Sequence, residues 1–151
     1  MNSKTGKYIV ICGSMSNYPA MVNCHNFLQK NNIPSILPYE ENDIAKNFSE
    51  QELYSLKREV SRKHFDSICD DKTFAILVVN TPKNSKKNYI GANTFAEIAI
   101  SFYCKKRIFL LDDIYEEYKD ELIAWETQPL QGSIEKLINA YKSLAKIEAK
   151  V

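Results

Sequence analysis

Short apolar runs and longer amphipathic stretches alternate along the chain. The run Tyr8-Ile9-Val10-Ile11-Cys12 is continuous and rich in β-branched residues, the pattern of a parallel strand covered on both faces. A helix from about Tyr18 to Lys30 follows, with Met21, Cys24, His25 and Leu28 on one side, and Asn31-Asn32 ends it. Ile33 to Leu37, bracketed by Pro34 and Pro38, reads as a strand near a sheet edge. Ser49-Glu50-Gln51-Glu52 is a capping box opening a long helix to about Cys69, with a stripe of Leu53, Leu56, Val60, His64 and Ile68. Thr73 to Val79 is the most hydrophobic run and belongs at the centre of a sheet. Arg107 to Leu111 gives the next strand. A helix from Ile114 to Trp125, an extended piece near Thr127 to Leu130 and a final amphipathic helix after Gly132-Ser133 complete the order. This alternation predicts a single α/β domain over residues 1–151: a flavodoxin-like five-stranded parallel sheet with helices on both faces.

The stretch Asn88 to Cys104 departs from simple amphipathy. From Phe95 it reads as a helix with a stripe of Phe95, Ile98, Ala99 and Phe102, capped by Asn93 or Thr94. Ala96, Ile100 and Tyr103 are apolar as well, so Glu97 and Ser101 are the only polar side chains between Phe95 and Cys104. Such a helix is expected to be covered on more than one face, by sheet and by another subunit. Two readings of Glu97 stand side by side. It is either a first-turn carboxylate complementing the helix dipole or an ionised, water-shielded nucleophile or base. His64 has two readings as well, a hydrogen-bonded core histidine or a site histidine.

In the predicted winding, a ligand crevice lies between the carboxyl ends of the first and third strands. Gly13, Ser14 and Met15 after the first, Asn80 after the third, and the loop through Tyr89 and Gly91 to the helix of Glu97 converge there. The polar loop Pro38 to Phe48 is long enough to cover such a site.

Composition narrows the function classes. With 151 residues, 44% hydrophobic and 26% charged, the chain suits one soluble domain. A net charge of +1 with scattered basic residues gives no footprint for a nucleic-acid polymer, and the Lys83, Lys86, Lys87 cluster reads as a solvated loop. No apolar run reaches the length of a membrane span or a signal-peptide core. The four cysteines form no C-x-x-C pair and read as reduced, buried thiols, which places the protein in the cytoplasm. Two histidines on separate helices, without suitably spaced carboxylates, give no metal constellation, and no cofactor is expected. A phosphoacceptor receiver needs acidic residues where Cys12-Gly13 and Val79-Asn80 stand. A flavodoxin needs a richer hydroxyl loop than Ser14 and Ser16.

Ile11-Cys12-Gly13-Ser14-Met15, the strand ending Val78-Val79-Asn80, and Tyr89-Ile90-Gly91-Ala92-Asn93-Thr94-Phe95-Ala96-Glu97-Ile98-Ala99 before Lys105 to Leu111 together resemble the nucleoside 2-deoxyribosyltransferase-like superfamily. That group includes nucleoside deoxyribosyltransferases and 2'-deoxynucleoside 5'-monophosphate N-glycosidases. The resemblance covers the chain from the first strand to about Leu111. It implies a homo-oligomer, dimer or higher, whose sites are finished by a neighbouring subunit. It implies a nucleoside or nucleotide as the small-molecule partner and Glu97 as the nucleophile that forms a glycosyl-enzyme ester. It places His64 or Asp66 as the acid for the leaving base. Gly13 and Ser14 would line the sugar or phosphate end, and Asn93 with Thr94 a helix-start site for an anion or hydroxyl. Val10, Gly91 and Ser16 stand where the group carries a site Tyr, a substrate-reading Asp or Ser, and an Arg. A non-catalytic nucleotide or metabolite sensor on the same fold is the alternative.

Overall fold

A computed structural model describes residues 7–39 and 47–149. The elements follow in the order β1 (Tyr8–Cys12), α1 (Tyr18–Lys30), β2 (Ser35–Ile36), α2 (Glu50–Cys69), β3 (Thr73–Val78), α3 (Ala92–Tyr103), β4 (Arg107–Leu110), α4 (Lys119–Ala124), β5 (Gln128–Pro129) and α5 (Ile134–Ala149). All strand pairs are parallel and the sheet order is β2-β1-β3-β4-β5, the doubly wound α/β arrangement that the alternation predicts. Every residue of β3 is buried, as its run of apolar side chains requires of a central strand.

Alternation along the strands divides the core into two layers. Ile9, Ile11, Phe74, Leu77 and Phe109 face α1 and α5, meeting Met21, Leu28, Leu137 and Ile138. Val10, Cys12, Ile76, Val78, Ile108 and Leu110 face the other way, meeting Ile68 of α2, Ile98 of α3 and Leu122 of α4. The period of two sends Cys12 into the layer between α2 and α3.

Several elements differ from the pattern-based expectation. The helix expected over Ile114 to Trp125 is a 3-10 turn at Glu116–Tyr118 running into the short α4. Tyr115 is buried instead of opening a regular helix, and its ring meets Tyr89 edge-on at 5.7 Å. The stripe expected on α2 is only partly covered: Ile68 is buried, Leu56, Val60 and His64 are half-buried and Leu53 is exposed. The proposed cover loop lies largely at 40–46, outside the described residues.

The cysteine reading needs correction. Cys69, the last residue of α2, and Cys104, which caps α3, form a disulfide with a Cα–Cα distance of 5.7 Å. Only Cys12 and Cys24 are free and buried, and burial raises the Cys24 thiol from its ordinary 9.0 to about 11. A chain with a native disulfide gives no argument from cysteine usage for a reducing compartment, so the basis for a cytoplasmic location falls. Among the described residues, no helix is long and apolar enough to cross a membrane.

Candidate active site

The cleft is built at the carboxyl ends of β1 and β3, where the winding places a ligand crevice. β1 delivers Gly13, and a Cβ there would stand 3.1 Å from both the Met21 sulfur and the Val79 carbonyl oxygen. A glycine therefore lets the chain turn tightly over the neighbouring strand. Ser14 follows, its Oγ 3.0 Å from that of Ser16. The Lys83 ammonium donates to Ser14 Oγ at 3.3 Å and lies 5.3 Å from the centre of the Tyr89 ring. Lys83 is thus drawn to the crevice, unlike the solvated lysine expected, whereas Lys86 pairs with Glu117 at the surface at 3.0 Å.

α3 enters the cleft by its N-terminus. Its N-cap is Gly91, earlier than the Asn93 or Thr94 expected, and no side chain caps it. Asn93 and Thr94 therefore lie inside the first turn, and the amide groups at the helix start face the cleft without a side-chain acceptor. The buried face of α3 is also rotated from the predicted stripe: Thr94, Glu97, Ile98 and Ser101 are buried, while Phe102 and Tyr103 are 47% and 84% exposed. Ser101 is satisfied locally by donating to the Glu97 carbonyl at 2.7 Å. Phe95 and Phe102 instead stack on Trp125, with ring centres at 5.5 and 5.3 Å. This lateral aromatic stack goes with a rotation of the helix that turns Glu97 and Ser101 inward.

Turning inward brings Glu97 to His64. His64 Nε2 of α2 approaches Glu97 Oε2 at 2.7 Å, and both side chains are only 11% exposed. The contact is close but lacks aligned hydrogen-bond geometry, since Glu97 Oε2 is buried with no hydrogen-bond partner. The same His64 nitrogen lies 3.5 Å from Cys12 Sγ. Burial first, then the neighbouring Glu97 charge and a hydrogen bond with the Glu97 side chain, push the Cys12 thiol well above its ordinary value, so it stays protonated.

His64 and Glu97 line a cleft of about 440 Å³, with Cys12 buried beneath them. Its walls include Gly13, Ser14, Met15, Tyr89, Gly91, Asn93 and Thr94, together with Lys57 and Tyr39. The size is that of a small-molecule site.

Two of the residues predicted for the site, Asn80 and Asp66, are not part of the cleft lining. Asn80 is fully buried: its amide donates to the Asp113 carbonyl at 2.7 Å and its Oδ1 accepts from the Asp112 amide at 2.9 Å, joining the ends of β3 and β4. Asp66 is exposed on α2 and forms no part of the cleft lining. Of the two candidate acids, His64 alone reaches Glu97. Tyr39, Lys57, Lys83 and Cys12 were missed as site residues. Lys83 carried a visible signal, since the Lys-rich loop lies between a strand end and the helix bearing Glu97. Cys12 carried none beyond its place at the end of β1.

Chemically, the arrangement combines a buried carboxylate, an imidazole in contact with it, and amide and ammonium donors at the rim. Comparison with known protein families, with curated proteins and with solved structures gives no match.

Proposed function

We propose that the protein cleaves or transfers the N-glycosidic bond of a nucleoside or nucleotide, with Glu97 as nucleophile. The observation that carries this reading is the Glu97 carboxylate, buried at the cleft floor and in contact with His64. Glu97 attacks the anomeric carbon as the bond to the base nitrogen breaks, through an oxocarbenium-like transition state. His64 gives a proton to the departing base. Water, or a second base, then attacks the same carbon, its proton passes to the now neutral His64, and the ester bond breaks to release Glu97 as a carboxylate. The free amides at the start of α3 and the Lys83 and Lys57 ammonium groups suit the hydroxyl or phosphate end of such a substrate. Exposed Phe102 and Tyr103 offer α3 an apolar outer surface for a second copy of the chain, in keeping with a homo-oligomer.

Incubation with a panel of nucleosides, deoxynucleosides and their monophosphates, followed by chromatography for free base, tests the reading. Glu97→Gln should slow base release by about a thousandfold or more. Release from none of the panel, or equal release by the Gln variant, removes the proposal.

A second reading, a non-catalytic nucleotide or metabolite sensor, draws on Val10, which is fully buried in the core, and on Gly91, which gives the cleft no polar side chain. It predicts a ligand-dependent rise in melting temperature without turnover. Absence of any such shift across the same panel argues it away.

A further inference from the structure

Three elements send one donor atom each to a common point under the cleft. β1 gives the Cys12 sulfur, α2 the His64 Nε2 and α3 a Glu97 carboxylate oxygen, all within 4.8 Å of one another. Cys12 is held by His64 and the Glu97 side chain, yet one carboxylate oxygen of the set is left over. His64 Nε2 has a single hydrogen or lone pair to offer, yet it faces both Cys12 Sγ at 3.5 Å and Glu97 Oε2 at 2.7 Å. Glu97 Oε2 is buried and makes no aligned hydrogen bond. One cation between the three atoms satisfies all of them at once.

The donor types select the ion. Thiolate and imidazole are ligands of the zinc class, whereas magnesium and calcium require oxygen sets. Three protein ligands and a fourth position open to a cleft is the arrangement of an accessible zinc site. Here His64 and Glu97 line the cleft, which gives an ion its path, while Cys12 lies beneath them. We propose that Cys12, His64 and Glu97 bind a soft divalent cation of the zinc class, with the fourth position facing the cleft.

On binding, the Cys12 proton passes to solvent and the sulfur, Nε2 and carboxylate each give an electron pair to the metal. The Glu97 lone pair is then no longer free to attack carbon. If Glu97 is the nucleophile of the glycosyl reaction proposed above, the loaded protein is the inactive form and the metal regulates the site. Cys12 has no part in the glycosyl chemistry, so its presence beside the pair is what this site explains.

Cobalt(II) titration of the full chain, freed of metal with a chelator and with its disulfide intact, tests the site without substrate. We expect one equivalent to bind with a thiolate-to-cobalt charge-transfer band and the strong visible bands of a tetrahedral centre, both removed by excess zinc. Cys12→Ser should abolish the charge-transfer band, and His64→Gln should weaken binding by more than about tenfold. Cys24→Ser should leave the band in place. His64 lies at the cleft wall, so His64→Gln remains informative if Cys12→Ser does not fold. No charge-transfer band, or a band that survives in both Cys12→Ser and His64→Gln, overturns the proposal. In the same preparations, zinc should lower base release by at least about tenfold in the parent chain and lose that effect in Cys12→Ser. Base release by the parent chain that is unchanged at full zinc occupancy overturns the regulatory part. A cobalt band in a protein that releases no base from any substrate sinks the glycosyl reading and leaves the metal site standing.

Discussion

Helices α2 and α3 each supply one side chain to the same 2.7 Å contact, yet they are held by different means. α3 is short and lies against the sheet, with Thr94, Glu97, Ile98 and Ser101 on its buried face. α2 is two-thirds longer, 20 residues against 12, with Ile68 as its one buried residue. At its start a capping box joins Ser49 and Glu52, and at its end the Cys69–Cys104 disulfide joins it to α3. Lys106, buried beside that end, donates to the carbonyls of Asp70 and Thr73 at 2.8 and 3.0 Å. Packing along the buried face of α3 holds Glu97, while His64 sits on a helix tied at both ends and packed on the core through Phe65 and Ile68. A long helix with an open face can still aim a side chain when its ends are fixed.

The sharpest way to break this contrast is to cut the tie. Replacing both Cys69 and Cys104 with Ser should cost about 3 to 4 kcal/mol, since the bridge closes a loop between residues 35 apart. The melting temperature should fall by roughly 10 °C. Calorimetry measures the loss, and histidine NMR should show the His64 signal change while that of His25 holds. His25 is fixed elsewhere, by a 2.6 Å hydrogen bond with Ser35.

Ile98→Ala attacks the other helix. It should cost about 3 kcal/mol in denaturant unfolding because Ile98 is fully buried against the sheet. Equal losses from Ile98→Ala and from truncation of exposed Leu53 would show that α2 and α3 are packed alike. Ser49→Ala removes the cap that accepts from the Glu52 amide at 3.2 Å and should cost about 1 kcal/mol, read by the same melts.

Buried thiols add a pH slope. The unfolded Cys24 thiol ionises near 9.0 while the folded one keeps its proton to about 11, so the unfolded state holds fewer protons across that interval. Stability therefore falls as pH rises from about 9 to about 11. Cys12, also raised by burial, adds to the same slope. Denaturation midpoints measured across this range should decline less steeply in Cys24→Ala than in the parent chain.

Local signals in the sequence were strong wherever one element decides the outcome. The capping box at Ser49 starts α2 where expected, and the apolar run of β3 marks the sheet centre. α1 keeps its predicted bounds, Tyr18–Lys30. What the pattern missed are joint properties of distant residues. Cys69 and Cys104 become partners only because two helices end side by side, which neither helix period encodes. The rotation of α3 goes with the stacking of Phe95 and Phe102 on Trp125, so the apolar stripe marks an aromatic stack and the rarer polar residues face the sheet. Glu97 and His64 were each visible as odd residues on their helices, but their contact depends on that rotation. Asn80 sits at the right strand end and yet spends every side-chain group on the backbone of neighbouring segments.

The Cys69–Cys104 bridge also makes a covalent ring of β3, α3 and the Lys-rich turn between them. Trypsin acting at exposed Lys86 or Lys87 would open that ring without separating its ends. The nicked chain should migrate as one species until a thiol reductant is added, and only then fall into two.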